Sequence, residues 1–233
     1  MTITGAQKDL IEHVVNVFET GSPRGDYGEV CTYRDGHDGT RQITYGRAQT
    51  TEQGNLRDLI TLYVNNGGTY ANFFRPYLPE IGKVPLANDL AFKSALRSAG
   101  TDSVMIAAED TFFDFDYFAP AIKWCEANGF TTALAALVVY DSFIHSGAIL
   151  NFLRARFHES PPAAGGEEEI WLKEYVFVRA DWLANYRDPL NPAKAALLRQ
   201  TTYRTSCLMR EIVRKNWDLS QLPILANGVE VSS

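Results

Sequence analysis

The sequence is short of several features that would make a function easy to read. Among 233 residues there are three cysteines, Cys31, Cys125 and Cys207, far apart and without a CxxC pair. That excludes a zinc knuckle and a dense disulfide framework, and leaves at least one thiol unpaired within the chain. No apolar run reaches the roughly 18 residues that span a bilayer; the longest candidate, Thr131 to Leu153, is interrupted by Asp141, His145 and Gly147. The opening MTITGAQKDL has neither a basic nor an apolar region, so no signal peptide is expected in this chain. Positive charge is in deficit, with 22 Lys plus Arg against 28 Asp plus Glu and a net charge of −6. This argues against broad binding of nucleic acid, which needs a basic face to neutralise phosphates. The nucleophile elbow, the zinc-protease HExxH, the phosphate-binding P-loop and a dinucleotide fingerprint are all missing.

What is present is an ordinary globular composition, 45% hydrophobic and 21% charged, enough to bury a core. From Ala6 to Phe18, Leu10, Ile11, Val14, Val15 and Phe18 recur at helical spacing, and the run stops at Glu19, Thr20, Gly21, Ser22, Pro23. Tyr27 to Arg34 and Arg41 to Gly46 read as two strands around a polar turn, Asp35 to Gly39. Gly54, Asn55 and Leu56 open a second amphipathic helix that ends at Gly67 and Gly68. Short helices are expected over 70–77, 86–98 and 103–126, and a long apolar one over 131–157. A Pro/Ala/Gly connection, 160–166, leads to helices at 167–186 and 201–216. The expected architecture is mainly α, a single domain over 1–233. One lobe combines 1–65 with the C-terminal helices, the middle helices 66–160 form the other, and a small β-hairpin flanks a cleft. A helix, hairpin and helix at the start of an α-rich chain is also the layout of lysozyme-like α+β enzymes.

The four histidines, His13, His37, His145 and His158, show no metal-ligand spacing. Asp141 and His145 stand four apart on one helix face and read as a buried hydrogen-bonded pair, so neither metal nor cofactor is expected. The carboxylates beside the hairpin are more suggestive. Glu19 lies at the flank of the apolar face of the first helix, where partial burial would keep its proton near neutral pH. Asp35 ends the first hairpin strand and Asp38 sits in the turn. Two carboxylates in unlike environments are what glycosidic hydrolysis needs, an acid for the leaving oxygen and a base or nucleophile opposite. The aromatics Phe112, Phe113, Phe115, Tyr117 and Phe118, interleaved with Asp110, Asp114 and Asp116, read either as core or as a sugar-stacking platform.

These residues, in this order, resemble the chitosanases of glycoside hydrolase family 46, in the lysozyme-like superfamily. The resemblance rests on Phe18-Glu19-Thr20-Gly21, the Asp35-Gly36 turn, Ile43-Thr44-Tyr45-Gly46 and Gly54-Asn55-Leu56. It continues through Tyr140-Asp141, Gly147, Arg204, Arg210, Asn216-Trp217-Asp218-Leu219 and Leu222-Pro223. It implies an endo-acting, inverting hydrolase of β-1,4-linked glucosamine polymer, secreted and monomeric, whose partner is chitosan or a related amino-sugar polysaccharide, with no nucleic acid or membrane involved. Glu19 would be the general acid and Asp35 the base, assisted by Thr44. The carboxyls would lie roughly 6.5–9.5 Å apart to admit water. Asp141, Arg179 and Arg204 would form a charge network behind the acid, and Tyr33, Arg41, Asn55 and Glu52 would contact substrate. Two departures stand out. The turn before Thr44 is longer than usual, which makes Asp38 a rival base, and Asn55 stands where the family often has Asp. The second departure keeps open a lysozyme-like peptidoglycan hydrolase, and a noncatalytic carbohydrate-binding module of the same fold is a further alternative.

Overall fold

A computed structural model describes residues 1–47 and 49–232. In chain order the elements are α1 (Gly5–Thr20), β1 (Val30–Tyr33), β2 (Gln42–Tyr45), β3 (Thr50–Thr51), α2 (Leu56–Asn65), α3 (Ala71–Phe74), α4 (Leu90–Ala99), α5 (Ser103–Phe113) and α6 (Ala119–Ala127). They continue with α7 (Ala133–Ser146), α8 (Asn151–Arg154), α9 (Glu168–Asn185), α10 (Pro192–Gln200), α11 (Thr202–Val213), β4 (Ile224–Ala226) and β5 (Val229–Val231). The described residues are mainly α with two small antiparallel sheets, an α+β arrangement. No helix among the described residues is long and apolar enough to cross a membrane, and no group of described residues forms a metal cluster.

The chain divides into two compact units, residues 1–23, 115–187 and 196–233 in the first, and 24–114 with 188–195 in the second. The expected lobes set 1–65 with the C-terminal helices against 66–160; here 24–65 cluster with 66–114, and 115–160 with the C-terminal helices. The reason is packing: α2 lies against α5, so the hairpin and the helix after it join the middle helices.

In the first unit α7 is the central helix, with every residue from Ala133 to Ser142 buried. Its N-terminus is capped twice. The Thr132 hydroxyl accepts the Ala135 N–H, and the Glu168 carboxylate accepts the N–H groups of Thr131 and Thr132, both at 2.9 Å. Gly147, at φ 77°, ends α7, so the helix expected over 131–157 is in fact two, with α8 separate. Around α7 pack Val14, Val15 and Phe18 of α1, Trp171 and Tyr175 of α9, and Leu208 of α11. The Thr4–Gln7 capping box starts α1, and Gly21 at φ 76° stops it one residue after Thr20. The hairpin β4–β5 at the C-terminal end and the helix α10 carry no strong periodic signal and were not expected.

In the second unit β2 is central, paired with β1 and with the short β3. Its hydrophobic face, Ile43 and Tyr45, is wholly buried, as are Leu56, Leu59 and Ile60 of α2 and Phe92 of α4. Asp102 caps α5 through the Val104 N–H and also accepts the Tyr63 hydroxyl at 2.7 Å, tying α5 to α2. The aromatic stretch expected within one helix, 103–126, divides at its middle. Phe112 and Phe113 are buried at the end of α5, a π-helical turn covers Asp114–Phe118, and Phe115 stands 78% exposed.

Candidate active site

In the first unit α1 delivers Glu19 one residue before its end. The negative end of the helix dipole lies there, a setting that disfavours an ionised carboxylate. The Glu19 side chain is nearly buried and its Oε1 is bound by Arg204 Nη2. Arg204, on α11, donates from Nη1 to Asp141 Oδ1 at 2.7 Å, and Arg179, on α9, donates from Nη1 to Asp141 Oδ2 at 2.5 Å. Glu19, Arg204, Asp141 and Arg179 therefore form one alternating chain of charge reaching from the end of α1 into the core. The Arg204 guanidinium also sits over the rings of Phe18 and Tyr203, 5.4 and 5.9 Å from their centroids. The Tyr203 hydroxyl donates to the Phe18 carbonyl at 2.6 Å, which fastens the last turn of α1 to α11.

Electrostatics follow from burial against pairing. Burial raises the Glu19 carboxyl above its ordinary range, and Arg204 offsets only part of that rise. Asp141 is fully buried, yet Arg179 and Arg204 together overcome the burial and hold it down to about 2. His145, which the sequence placed beside Asp141, is held well below the ordinary histidine range by burial and then by the two arginines. It is a neutral ring, and Asp141 serves the arginines.

In the second unit the hairpin register sets Tyr33 opposite Gln42, Thr32 opposite Ile43 and Cys31 opposite Thr44. Asp35 leaves β1 two residues after Tyr33, and its Oδ1 accepts a hydrogen bond from Gln42 Nε2 at 3.1 Å. The turn that follows is a short 3-10 segment, His37–Gly39, with Asp38 at φ 54° and exposed. A Cβ on Gly36 would lie 2.7–2.8 Å from Thr40 Oγ1 and the Gln53 amide, side-chain ends that would have to shift. A cavity of about 610 Å³ opens beside this turn, lined by Asp35, Asp38, Gln42 and Gln53 and by Asp188 and Lys194 of the segment before and within α10.

The remaining sequence candidates fall differently. Thr44 is 5% exposed, its hydroxyl without a protein partner among the described residues. Tyr33 is half-buried on β1. Arg41 is exposed and reaches Asn88 Oδ1 at 3.4 Å. Asn55 is half-buried at the residue before α2. Glu52 corrects the expectation of a substrate contact. It is 2% exposed, and its two oxygens accept the backbone N–H groups of Ile43 and Leu86 at 3.0 and 2.7 Å. That carboxylate knits the sheet to the loop before α4. Two residues escaped the sequence reading, Gln42 and Glu109. Glu109 is buried on α5, and its Oε2 accepts the Arg47 N–H at 2.9 Å. A glutamine on a strand and a glutamate on a helix carry no signal of such a place.

Comparisons with known proteins agree on one family. The sequence pattern of glycosyl hydrolase family 46 matches residues 13–224. A chitosanase of Bacillus subtilis strain 168 is 30% identical over 226 residues, covering 90% of this chain and 78% of that protein. Among solved structures, the native chitosanase of Bacillus subtilis MY002 superposes with a TM-score of 0.85 at 26% identity, over 99% of this chain and 100% of that one. A Gynuella sunshinyii chitosanase, solved with chitotetraose, shares the fold at 24% identity and a TM-score of 0.85, over 99% of this chain and 98% of its own.

Proposed function

The chain belongs to glycosyl hydrolase family 46, and from that premise we propose that it is a chitosanase, an endo-acting glycosidase that cleaves β-1,4 links between glucosamine units. We further propose an inverting two-carboxylate mechanism. Glu19, protonated, gives its proton to the glycosidic oxygen as the bond from C1 breaks. Asp35 takes a proton from the water whose oxygen forms the new bond to C1, and Thr44 helps to hold that water. The observation that carries the acid assignment is the Glu19 carboxyl, buried at a helix C-terminus and raised above its ordinary range, with Arg204 to hold the anion left after transfer. Asp35 is preferred over Asp38 because its carboxylate is held in one orientation by Gln42, while Asp38 is exposed. Arg179 and Asp141 fix Arg204. Tyr33, Arg41 and Asn55 are proposed as contacts to the polymer, and Asn55 as a contact that supplies hydrogen bonds without charge. We propose that the reaction takes place outside the cell, where a polysaccharide substrate is accessible.

The test is release of reducing ends from chitosan by the purified chain and its variants. Glu19→Gln and Asp35→Asn are expected to lose at least a hundredfold in kcat while keeping the wild-type melting temperature to within a few degrees. Anomeric NMR of early products should show inversion. Wild-type turnover in Glu19→Gln would remove the acid assignment, and retained configuration would remove the inverting mechanism. Clearance of cell walls in preference to chitosan would favour a peptidoglycan substrate.

A further inference from the structure

Gln42, a residue outside the two-carboxylate mechanism, is bound directly to Asp35. It begins β2 and is 6% exposed. Both ends of its amide are engaged: Oε1 accepts the Gln53 N–H at 3.1 Å, and Nε2 donates to Asp35 Oδ1 at 3.1 Å. The orientation of that amide follows from chemistry. A backbone N–H only donates, so the amide oxygen must face Gln53, and the NH2 group is left for the carboxylate. Gln53 continues the arrangement, accepting the His37 N–H on its own Oε1 at 2.6 Å and donating from Nε2 to Thr40 Oγ1 at 3.0 Å. The whole 35–40 turn is thereby pinned to the segment that enters α2.

We propose that Gln42 is a positioning residue for the base: it holds Oδ1 of Asp35 as an acceptor and leaves Oδ2 as the oxygen that takes the proton from water. A donor fixed on one oxygen removes rotation of the carboxylate, so the base meets water already oriented. Asp38, three residues on, has its backbone in the left-handed region and is exposed, with no comparable strut among the described residues. Other ionisable groups around Asp35 are Tyr33 on β1, His37 and Asp38 in the turn, and Asp188 and Lys194 across the cavity. Of these and Gln42, only Gln42 is hydrogen-bonded to the Asp35 side chain among the described residues.

The inference rests on Asp35 being the base, and the experiment separates the two. The variants Gln42→Glu, Gln42→Leu and Asp35→Asn are made in the full chain. Gln42→Glu retains an oxygen for the Gln53 N–H, so the hairpin keeps its tie, while the donor to Asp35 becomes a second carboxylate. Expected for Gln42→Glu are a melting temperature near wild type, a fall in kcat on chitosan of about tenfold or more, and a KM changed less than about twofold. The acidic limb of its kcat profile should move up by about one pH unit, because a like charge disfavours the anion. Gln42→Leu should lower kcat and move that limb in the same direction by less. If Gln42→Leu fails to fold, Gln42→Glu carries the test alone. Wild-type kcat in Gln42→Glu overturns the proposal, and so does a lowered kcat with an unmoved acidic limb, the outcome of a merely structural role. Wild-type turnover in Asp35→Asn would instead show that the base was misassigned.

Discussion

Asp141 carries two guanidiniums on its two oxygens and has no exposed side-chain surface. Such a pair of pairs is a poor source of net stability when formed, but removing one member strands the charges that remain. Asp141→Ala would leave Arg179 and Arg204 buried without the carboxylate that both of them share. The expected loss is about 3–5 kcal/mol in urea unfolding at neutral pH, and a loss below about 1 kcal/mol would contradict a shared network. The pH dependence has a definite sign. Asp141 titrates at about 2 in the folded chain, below the ordinary ~3.9 of an unfolded aspartate. Its contribution is complete above that ordinary value and is lost as pH falls through the folded one. At this scale the sequence was informative about type and uninformative about partner. Asp141, Arg179 and Arg204 were legible as a trio only through the family resemblance. Glu52, offered as a substrate contact, proved to hold backbone, because nothing in its neighbours along the chain says which way a strand-end carboxylate points.

Elements were legible where periodicity was strong, as in α1, α2 and α11, and illegible where apolar residues run on all sides. The segment 131–157 shows why. Ala133 to Ser142 is buried all round, so no amphipathic stripe marks its end, and only the left-handed Gly147 does. The joint between α5 and the sheet was equally hidden. Glu109 projects from α5 to the turn after β2, and Gly46, at φ 81°, has no Cβ to meet its carboxyl. Burial raises Glu109 well above the ordinary range, and the Arg47 N–H and its charge offset this only in part. Between the unfolded value of ~4.3 and the raised folded one, the native chain keeps a proton that the unfolded chain has released. Stability should therefore fall as pH rises through that window. Glu109→Gln, which keeps an acceptor for the Arg47 N–H and cannot ionise, should flatten the decline in urea midpoints measured from pH 5 to 8. An unchanged slope would mean that Glu109 does not carry it.

The net charge of −6 belongs to the whole molecule. A polycationic glycan and an acidic chain attract at long range, and salt shortens that range from about 30 Å at 0.01 M to about 8 Å at 0.15 M. For chitosan hydrolysis kcat/KM should therefore fall across that interval while kcat changes little. A neutral, fully acetylated oligomer offered as a binding competitor should show no such dependence. Salt-independent kcat/KM on chitosan would remove long-range attraction as a factor in substrate capture.

The sequence by itself determined the mainly α class, the helix starts and stops marked by caps and glycines, and the lack of an apolar run long enough for a bilayer, and it offered Glu19 and Asp35 as candidate carboxylates. These are local signals, carried by residues within a few positions of one another. Only the tertiary structure decided which groups touch those carboxylates. Arg204 reaches Glu19 across 185 positions of sequence, and Gln42 meets Asp35 only because the hairpin folds back through its turn. The protonation of Glu19 depends on how much water the packing of α1 and α11 excludes, and no spacing along a chain encodes that quantity.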